Sequence, residues 1–313
     1  MIAAPFVGPT PLAFDRVFST TLAFADNVDA QIFFLARLPR SLAAALVGGT
    51  LATAGVVFQA LLRNPLATPY TLGISAGASL GAMLAITFGS LVAALPIGGI
   101  MGASLAGAGL AVAVVYALAS ARHSGLSTTV LLLAGVTMNA FFSALILFVQ
   151  YLSDFTETFR ALRWLMGDLD VAGYGPLAAA LPFVVLALTG FAWLARPLNL
   201  LTLGADAAAT RGVDVARTQR IAFFSGSIAT GAAVSVGGPI GFVGIIVPHL
   251  VRLMVGPDPR AVLPLSAIGG ALLLLLADTI ARSIGVPVGV ITALIGAPFL
   301  LWLLHRARTG YAL

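Results

Sequence analysis

The charged side chains that could bind a partner concentrate in one hydrophilic interval, residues 196–220 (RPLNLLTLGADAAATRGVDVARTQR). Its arginines and aspartates can form ion pairs and bidentate hydrogen bonds, which is recognition chemistry rather than catalysis. The helix formers after Asp206, with Gly204 and Gly212 as punctuation and Pro197 at the start, predict two short helices outside the membrane. A segment folded in this way indicates a surface for another protein. The alternative is a cytoplasmic loop whose arginines only fix the topology.

Residues able to perform catalysis or hold a metal are sparse. His123, His249 and His305 lie far apart and cysteine is absent, so we predict no catalytic site, no metal site and no cofactor bound by this chain. His249, which follows Pro248, is expected to hydrogen-bond locally rather than bind haem or a metal. Lysine is also absent, which excludes a standard Walker A loop. The sequence therefore argues against an enzyme, and any ATP chemistry must come from a partner.

The composition places these residues in a membrane. Hydrophobic residues make up 60% of the 313 residues and charged residues only 9%, whereas a soluble domain of this length would carry far more charge. The net charge of +5 comes from arginines at the ends of apolar segments, where topology and lipid headgroups explain them without nucleic acid. We predict an all-α, polytopic integral membrane protein in contact with the lipid bilayer.

Nine apolar segments are long enough for membrane crossings, each of which takes about 20 helical residues. The crossings are expected at residues 41–62, 72–88, 92–118, 127–152, 176–194, 221–236, 242–255, 262–280 and 286–304. Residues 154–175 are predicted to form a polar connector. The domain organisation that follows is an external or interfacial segment at residues 1–36, a transmembrane domain at residues 37–308 and a tail at residues 309–313.

The arginines also predict the orientation. If residues 196–220 are cytoplasmic, more arginines fall inside than outside, as the positive-inside rule requires. The inside set is Arg63, Arg122, Arg196, Arg211, Arg217, Arg220, Arg252, Arg260, Arg306 and Arg308, and the outside set is Arg37, Arg40, Arg160, Arg163 and Arg282. The C-terminus is then cytoplasmic. Arg37, Arg40 and Arg282 at the external mouth indicate a docking surface for an acidic partner, with snorkelling at helix ends as the alternative.

A series of motifs resembles the FecCD family, the permease subunits of ABC importers for iron-siderophores, haem and vitamin B12. The motifs are residues 37–40 (RLPR), 59–69 (QALLRNPLATP), 72–78 (LGISAGA), 163–167 (RWLMG), 203–206 (LGAD), 211–213 (RGV) and 238–249 (GPIGFVGIIVPH), then Ala277, Asp278 and Arg282, and residues 287–290 (PVGV) and 296–298 (GAP). Each motif alone is weak. Together they keep the family's order and spacing over residues 37–306.

The resemblance implies a fold like that of the vitamin B12 importer permease, with about nine to ten transmembrane helices. The family has ten, so either the start of the first is truncated, residues 1–14 are its remnant, or the protein works with nine. It also implies a homodimer in a bacterial inner membrane, with two cytoplasmic ABC ATPase subunits that bind ATP and Mg²⁺ and one periplasmic substrate-binding protein. The implied function is ATP-driven import of an iron chelate (siderophore or haem) or cobalamin, with the particular chelate left open.

The same resemblance assigns roles to residues at the two ends of the protein. Leu203, Gly204, Asp206, Arg211 and Gly212 match the helices that couple the permease to its ATPase subunits. Arg37, Arg40 and Arg282 match arginines that grip glutamates on the binding protein. For Arg282, an ion pair with Asp278 one helical turn earlier is the alternative.

For the translocation path we expect six residues from two helices: Ser75, Ala76, Ser79, Met138, Asn139 and Ser143. Ala76 stands at the inner end of the path, where the family often has asparagine or another polar residue. The smaller side chain here leaves open which residues form the gate. The alternative for Asn139 and Ser143 is hydrogen bonding between helices, and for Met138 it is filling the core or facing lipid.

An ion-coupled secondary transporter is the alternative function. Such a protein needs carboxylates inside the membrane or ion sites at broken helices. Only Asp278 approaches membrane depth, and it lies near a helix end. The sequence therefore favours the ATP-driven importer.

Overall fold

The computed structural model describes residues 4–19, 23–89, 99–120, 126–171 and 173–308, and these are helical with no strand among them. The start of the crossing predicted at residue 92, the loop with Arg122 and His123, and the tail at residues 309–313 lie outside the described residues. The helices are α1 (Leu38–Leu62), α2 (Ile74–Thr87), α3 (Gly99–Ser120), α4 (Thr128–Leu152), α5 (Phe155–Leu165), α6 (Gly175–Leu201), α7 (Ala205–Ala209), α8 (Val215–Gly237), α9 (Val243–Val255), α10 (Pro259–Ile284) and α11 (Val288–Arg308).

The predicted all-α membrane fold is confirmed. Five helical stretches are long and apolar enough to cross a bilayer, and three shorter apolar helices accompany them. The nine predicted crossings correspond to α1, α2, α3, α4, α6, α8, α9, α10 and α11. Most of the differences are at the ends, where α1, α6, α8, α10 and α11 run several residues beyond the predicted apolar segments.

Helix α1 forms the centre of the bundle. Every residue from position 47 to position 62 is buried, as expected for a helix that is apolar on all faces. The helices α6, α8, α9 and α10 pack around it. Two of these contacts depend on glycine, since a Cβ at Gly48 would meet the carbonyl oxygen of Gly270 and a Cβ at Gly55 would meet that of Gly244. Small residues thus let the backbones approach closely in lipid.

Helix α2 uses alternate residues for two different purposes. On one face, a Cβ at Gly77 or Gly81 would meet backbone carbonyl oxygens of α3, so these glycines allow close packing. On the opposite face lie Ser75 and Ser79, two residues earlier in each case and about 200° around the helix. The small residues of α2 thus serve close packing on one face and line the cavity on the other.

The polar connector predicted at residues 154–175 contains a helix in its first half. Residues 155–165 form α5, which begins at a capping box: the Asp154 carboxylate accepts from the amide of Glu157, whose carboxylate accepts from the amide of Asp154. The two reciprocal bonds satisfy orphan donors of the first turn and stabilise the helix. Ala161 is buried against the rest of the bundle, so α5 is part of the packed structure.

The segment before α1 folds over one end of the bundle. A continuous helical stretch runs from Val28 to Leu62, with a π-helical portion at Ile32–Arg37, so the boundary proposed between residues 36 and 37 falls within a helix. Residues 4–19 contain a 3-10 helix at Ala4–Phe6 and one α-helical turn at Phe14–Val17. Tilted and edge-on ring contacts join five side chains into one cluster: Phe6, Phe14, Phe18, Phe33 and Phe34. This cluster attaches the N-terminal residues to the helix.

Candidate translocation and coupling sites

Five of the six residues predicted for the translocation path lie around one cavity of about 420 Å³ between α2, α4 and α5. Its lining includes Ser75, Ala76, Ser79, Asn139 and Ser143. The two serines come from the buried face of α2, whereas Asn139 and Ser143 are exposed on α4. The sequence prediction therefore identified side chains that the fold brings together from two separate helices.

Met138, the sixth predicted residue, has a different place. It is half-buried and packs against the hydrophobic core, where its Cβ would lie 3.3 Å from a Cβ built on Gly73. Gly73 has a positive φ of 75°, which a glycine adopts without strain. The turn into α2 and the backbone of α4 can approach closely there, and Met138 fills the remaining space as the sequence alternative proposed.

The cavity also contains residues that the path prediction missed. Tyr70 and Gln150 line it together with Leu162 and Leu165 of α5. The Tyr70 hydroxyl donates a hydrogen bond to the Ile240 carbonyl oxygen at 2.5 Å. Burial raises the pKa of the Tyr70 phenol, partly opposed by this hydrogen bond, so the hydroxyl stays protonated and remains a donor. Gln150 lies seven residues after Ser143 and Ser143 four after Asn139, a spacing that places all three on one face of α4. This spacing could have identified Gln150 as a lining residue from the sequence.

The chemistry of this cavity is polar but uncharged. Hydroxyl and amide groups alternate with Ala76 and leucines, and no residue of the lining carries a formal charge. Such a surface can be wetted and can contact a large solute weakly, without the strong ion pairing that would retain it. The arrangement suits passage better than tight binding.

The segment of residues 203–212, here called the coupling segment, projects from one end of the bundle. Leu203 is 61% exposed, and Asp206, Arg211 and Gly212 are exposed as well. Ala208 of α7 is fully buried, and its carbonyl oxygen accepts from the amides of Arg211 and Val213. One buried alanine and a closed backbone turn therefore hold the segment in place while its side chains face outward.

The prediction of two short helices at residues 196–220 is wrong in detail. Only α7 is a separate short helix, because Arg196 and Pro197 belong to α6 and Arg217 and Arg220 belong to α8. Helix α6 continues past Pro197 since Leu194, Leu198 and Leu201 are all buried along one stripe. Helix α8 begins early because the Asp214 carboxylate caps it by accepting from the Arg217 amide at 2.9 Å.

Arg63 lies at the same end of the bundle as the coupling segment. A Cβ on Gly204 would come within 4.0 Å of Arg63 Nη1, and Gly204 itself has a φ of 114°. Arg63 is exposed at the C-terminal end of α1. Arg63, which the positive-inside rule predicts to lie inside, is thus a neighbour of the coupling segment.

The external arginine cluster, defined as Arg37, Arg40 and Arg282, lies at the opposite end and is largely enclosed. The Arg37 guanidinium is buried and donates to the carbonyl oxygens of Pro5, Phe6 and Thr10. Arg282 Nη2 donates to the Ala4 carbonyl oxygen at 3.1 Å. The N-terminal residues therefore supply neutral acceptors to two of the three arginines predicted to dock a partner.

A buried carboxylate holds this cluster together. Asp278 is 0% exposed, and its Oδ1 accepts from Arg40 Nε at 2.9 Å. Its Oδ2 lies 3.9 Å from Arg282 Nη2, so the pair proposed as the alternative for Arg282 is present. Asp170, which is 67% exposed in its side chain, approaches Arg40 Nη1 to 3.9 Å. Asp278 is therefore a structural counter-ion to the cluster.

His249 sits within α9 one residue after Pro248, and its ring packs edge-on against Phe299 with the centroids 5.9 Å apart. Among the described residues, no group of three or more His, Asp or Glu side chains could hold a metal ion. The ring contact gives His249 a local packing partner.

Comparison with known proteins assigns this architecture to a family of transporters. The model of the FecCD transport family matches residues 1–306. The chain is 44% identical over 291 residues to the cobalamin import system permease BtuC of Halobacterium salinarum, covering 92% of this chain and 77% of that protein. It is 38% identical to the hemin transport system permease HmuU of Yersinia pestis over 96% of this chain and 90% of that protein. A metal-chelate type ABC transporter in an inward-facing conformation superposes with a TM-score of 0.81 at 32% identity, covering 97% of this chain and 95% of that one.

Proposed function

The chain belongs to the FecCD transport family and is a permease of the ABC importer type, and from this premise we propose that it moves an iron chelate or cobalamin inward, driven by partner ATPase subunits. The observation that carries the proposal is the exposed coupling segment, which the buried Ala208 and its backbone hydrogen bonds hold in place. Leu203, Asp206 and Arg211 offer an apolar contact and two opposite charges on one small surface. ATP and Mg²⁺ belong to the partner, since this chain has no Walker A sequence.

We propose that two copies of the chain enclose the path. Helix α4 carries Asn139 and Ser143 on an exposed face, beside large apolar residues such as Val136 and Phe141 that are 60% and 54% exposed. The cavity of one copy is therefore open along α4. A second copy related by a two-fold axis would close it and bury the apolar residues, because a two-fold interface joins the same surface of both copies.

We propose that the coupling segment and the C-terminus face the cytoplasm of a bacterial cell. Among the described residues, nine arginines lie at the end of the bundle with the coupling segment, against six at the other end. The nine are Arg63, Arg196, Arg211, Arg217, Arg220, Arg252, Arg260, Arg306 and Arg308, and the six are Arg16, Arg37, Arg40, Arg160, Arg163 and Arg282. The positive-inside rule places the richer end inside. The external arginine cluster then faces the periplasm, where a substrate-binding protein can reach it.

Docking of a binding protein would require the N-terminal residues to move. Carboxylates form stronger hydrogen bonds to guanidinium groups than neutral carbonyl oxygens do. We therefore propose that acidic residues of the binding protein replace the carbonyl oxygens of Ala4, Pro5 and Phe6 at Arg282 and Arg37. Arg40 would stay paired with Asp278 during this exchange.

The names of the relatives support the proposed substrate class, an iron chelate or cobalamin. The similar proteins are named for cobalamin and hemin, which are large solutes. An uncharged lining gives such solutes little to bind, so we propose that selection among siderophores, haem and cobalamin rests with the binding protein rather than with this chain.

The decisive experiment is reconstitution of the full chain in lipid vesicles together with its substrate-binding protein, with and without its ATPase subunit. Uptake of radiolabelled cobalamin or a ferric siderophore should require the ATPase and ATP. Arg211→Ala should reduce both uptake and co-purification of the ATPase, whereas Arg260→Ala, an exposed arginine outside the coupling segment, should retain both. Uptake without any ATPase that is abolished by a proton-gradient uncoupler would instead support the ion-coupled transporter and overturn the proposal.

A further inference from the structure

A groove of about 620 Å³ lies between α3, α6 and α8, apart from the translocation cavity and the coupling segment. Most of its wall is apolar and is formed by Leu186, Ile221, Phe224 and Ile228. At its floor, α6 and α8 approach closely because Gly190 has no side chain: a Cβ there would lie 2.8 Å from that of Ser225. The groove is thus a fixed channel on the lipid-facing side, shaped for an extended apolar chain.

The neutral hydroxyls in the groove are already engaged. Thr189 Oγ1 donates to the Leu186 carbonyl oxygen at 2.7 Å, and Ser225 Oγ donates to the Ile221 carbonyl oxygen at 2.6 Å. Both are back-bonded within their own helices. The polar capacity that remains for a ligand is therefore mainly that of the two arginines at one end of the groove.

Arg217 and Arg220 carry two positive charges without a counter-ion. They are exposed and three residues apart on the first turns of α8, so they share one side of the helix. No ion pair joins either guanidinium to a carboxylate within 4.0 Å among the described residues. The nearest acid along the chain, Asp214, caps α8 through the Arg217 amide. Two uncompensated cations at the end of an apolar groove favour an anionic ligand.

The position of Arg217 is fixed by an aromatic ring. Its guanidinium carbon lies 5.4 Å from the centroid of the Trp193 ring, a cation–π contact that orients the side chain before a ligand binds. Tyr116 lines the groove from α3. Tryptophan and tyrosine gather at the headgroup level of membranes, so these rings indicate that the arginines lie at the depth of lipid phosphates.

The groove continues beyond the arginines. A second cavity of about 190 Å³ shares Tyr116 and Arg220 with it and extends past Ser120 and Leu126. This second cavity is large enough for polar groups attached to a phosphate. The site thus consists of an apolar groove, two arginines at one end of it, and a smaller cavity beyond the arginines.

We propose that this groove binds an anionic phospholipid. The lipid phosphate accepts hydrogen bonds from Arg217 and Arg220, one acyl chain lies along Ile221, Phe224 and Ile228, and the headgroup occupies the smaller cavity. A free phosphate would leave the apolar groove unfilled, and a zwitterionic lipid would compensate the two cations less well. The cytoplasmic leaflet is the source of the lipid if the proposed orientation holds, whereas the site itself does not depend on that orientation.

The test is native mass spectrometry of the delipidated full chain in detergent, with phosphatidylglycerol or phosphatidylcholine of identical acyl chains added. The wild type should retain phosphatidylglycerol preferentially. Each arginine near a membrane surface contributes about a factor of five in binding to anionic lipid, so Arg217→Gln/Arg220→Gln should weaken retention roughly 20- to 30-fold. Arg196→Gln removes one charge from the same end outside the groove, so it should weaken retention by less than the roughly fivefold expected for each arginine of the groove.

A second variant tests the acyl-chain part without altering charge. Ile228→Trp should fill the groove and weaken retention of phosphatidylglycerol, while an unchanged elution profile confirms that the protein is folded. Competition by glycerol 1-phosphate as effective as that by the lipid would show a free-anion site and overturn the proposal. So would equal retention of both lipids by the wild type. Loss of the ATPase subunit from the double variant with lipid selectivity intact would assign the arginines to that partner instead.

Discussion

Replacing Asp278 by asparagine should destabilise the protein far more than the same change at Asp170. Both carboxylates approach Arg40, but Asp278 is fully buried with Oδ1 at 2.9 Å from Arg40 Nε, and Asp170 is exposed at 3.9 Å. Asp278→Asn leaves Arg40 and Arg282 without a buried counter-ion. Asp170→Asn removes only a solvated contact, so the two variants differ in burial and not in chemistry.

The expected magnitudes follow from the two environments. Removing one partner of a buried ion pair costs about 3–5 kcal/mol, because the remaining charge is left uncompensated. An exposed pair contributes about 0–1 kcal/mol. At about 2–4 °C per kcal/mol for a chain of this size, Asp278→Asn should lower the melting temperature by roughly 6–20 °C, and Asp170→Asn by less than about 4 °C.

Thermal melting followed by the fluorescence of the three tryptophans in one detergent measures both variants under equal conditions. A third variant, Asp278→Leu/Arg40→Met, should recover part of the loss, because apolar residues of similar volume often replace a buried ion pair without cost. Equal melting temperatures for Asp278→Asn and Asp170→Asn would refute the assignment of Asp278 as the counter-ion of the external arginine cluster.

Three further changes test the packing, the cavity and the capping box. Gly81→Val should lower stability by about 1–3 kcal/mol, since its side chain would meet the α3 backbone; a melting curve matching the wild type would contradict the close contact. Asn139→Trp should block substrate uptake in vesicles without changing the melting temperature, and undiminished uptake would place the path elsewhere. Asp154→Ala should cost about 0.5–2 kcal/mol by removing the α5 cap, whereas Thr156→Ala in the same turn should be nearly neutral in the same melting assay.

The helical architecture was predictable because each crossing is a long apolar segment bounded by arginine or by turn residues. The ends of α6 and α8 were not, since they depend on contacts made elsewhere in the chain. Pro197 looks like a helix boundary in the sequence, yet the buried Leu198 and Leu201 keep α6 continuous. Helix α5 had a readable signal, the Asp154–Glu157 capping box, which a description of the region as polar overlooked.

The candidate site was predictable where spacing alone determines the face of a helix. Ser75 and Ser79 on α2, and Asn139 and Ser143 on α4, each lie four residues apart, and both pairs line the cavity. Tyr70 could not be placed in this way because it lies in the turn before α2, whose position depends on tertiary contacts. The enclosure of Arg37 by the carbonyl oxygens of residues 5–10 was equally hidden, since backbone acceptors carry no signature in the sequence.

The two-sided design of α2 has a consequence for how the transporter can move. At Gly77 and Gly81 the backbone of α2 contacts that of α3 directly. Sliding one helix along the other would cause steric clashes, so the pair should move as one rigid body. The serine side faces the cavity, with α4 and α5 beyond it, and α4 meets main chain at the turn before α2, where Gly135 lies against Thr71 and Leu72. Alternation between outward and inward openings should therefore take place by a tilt of α4 and α5 relative to the rigid pair of α2 and α3.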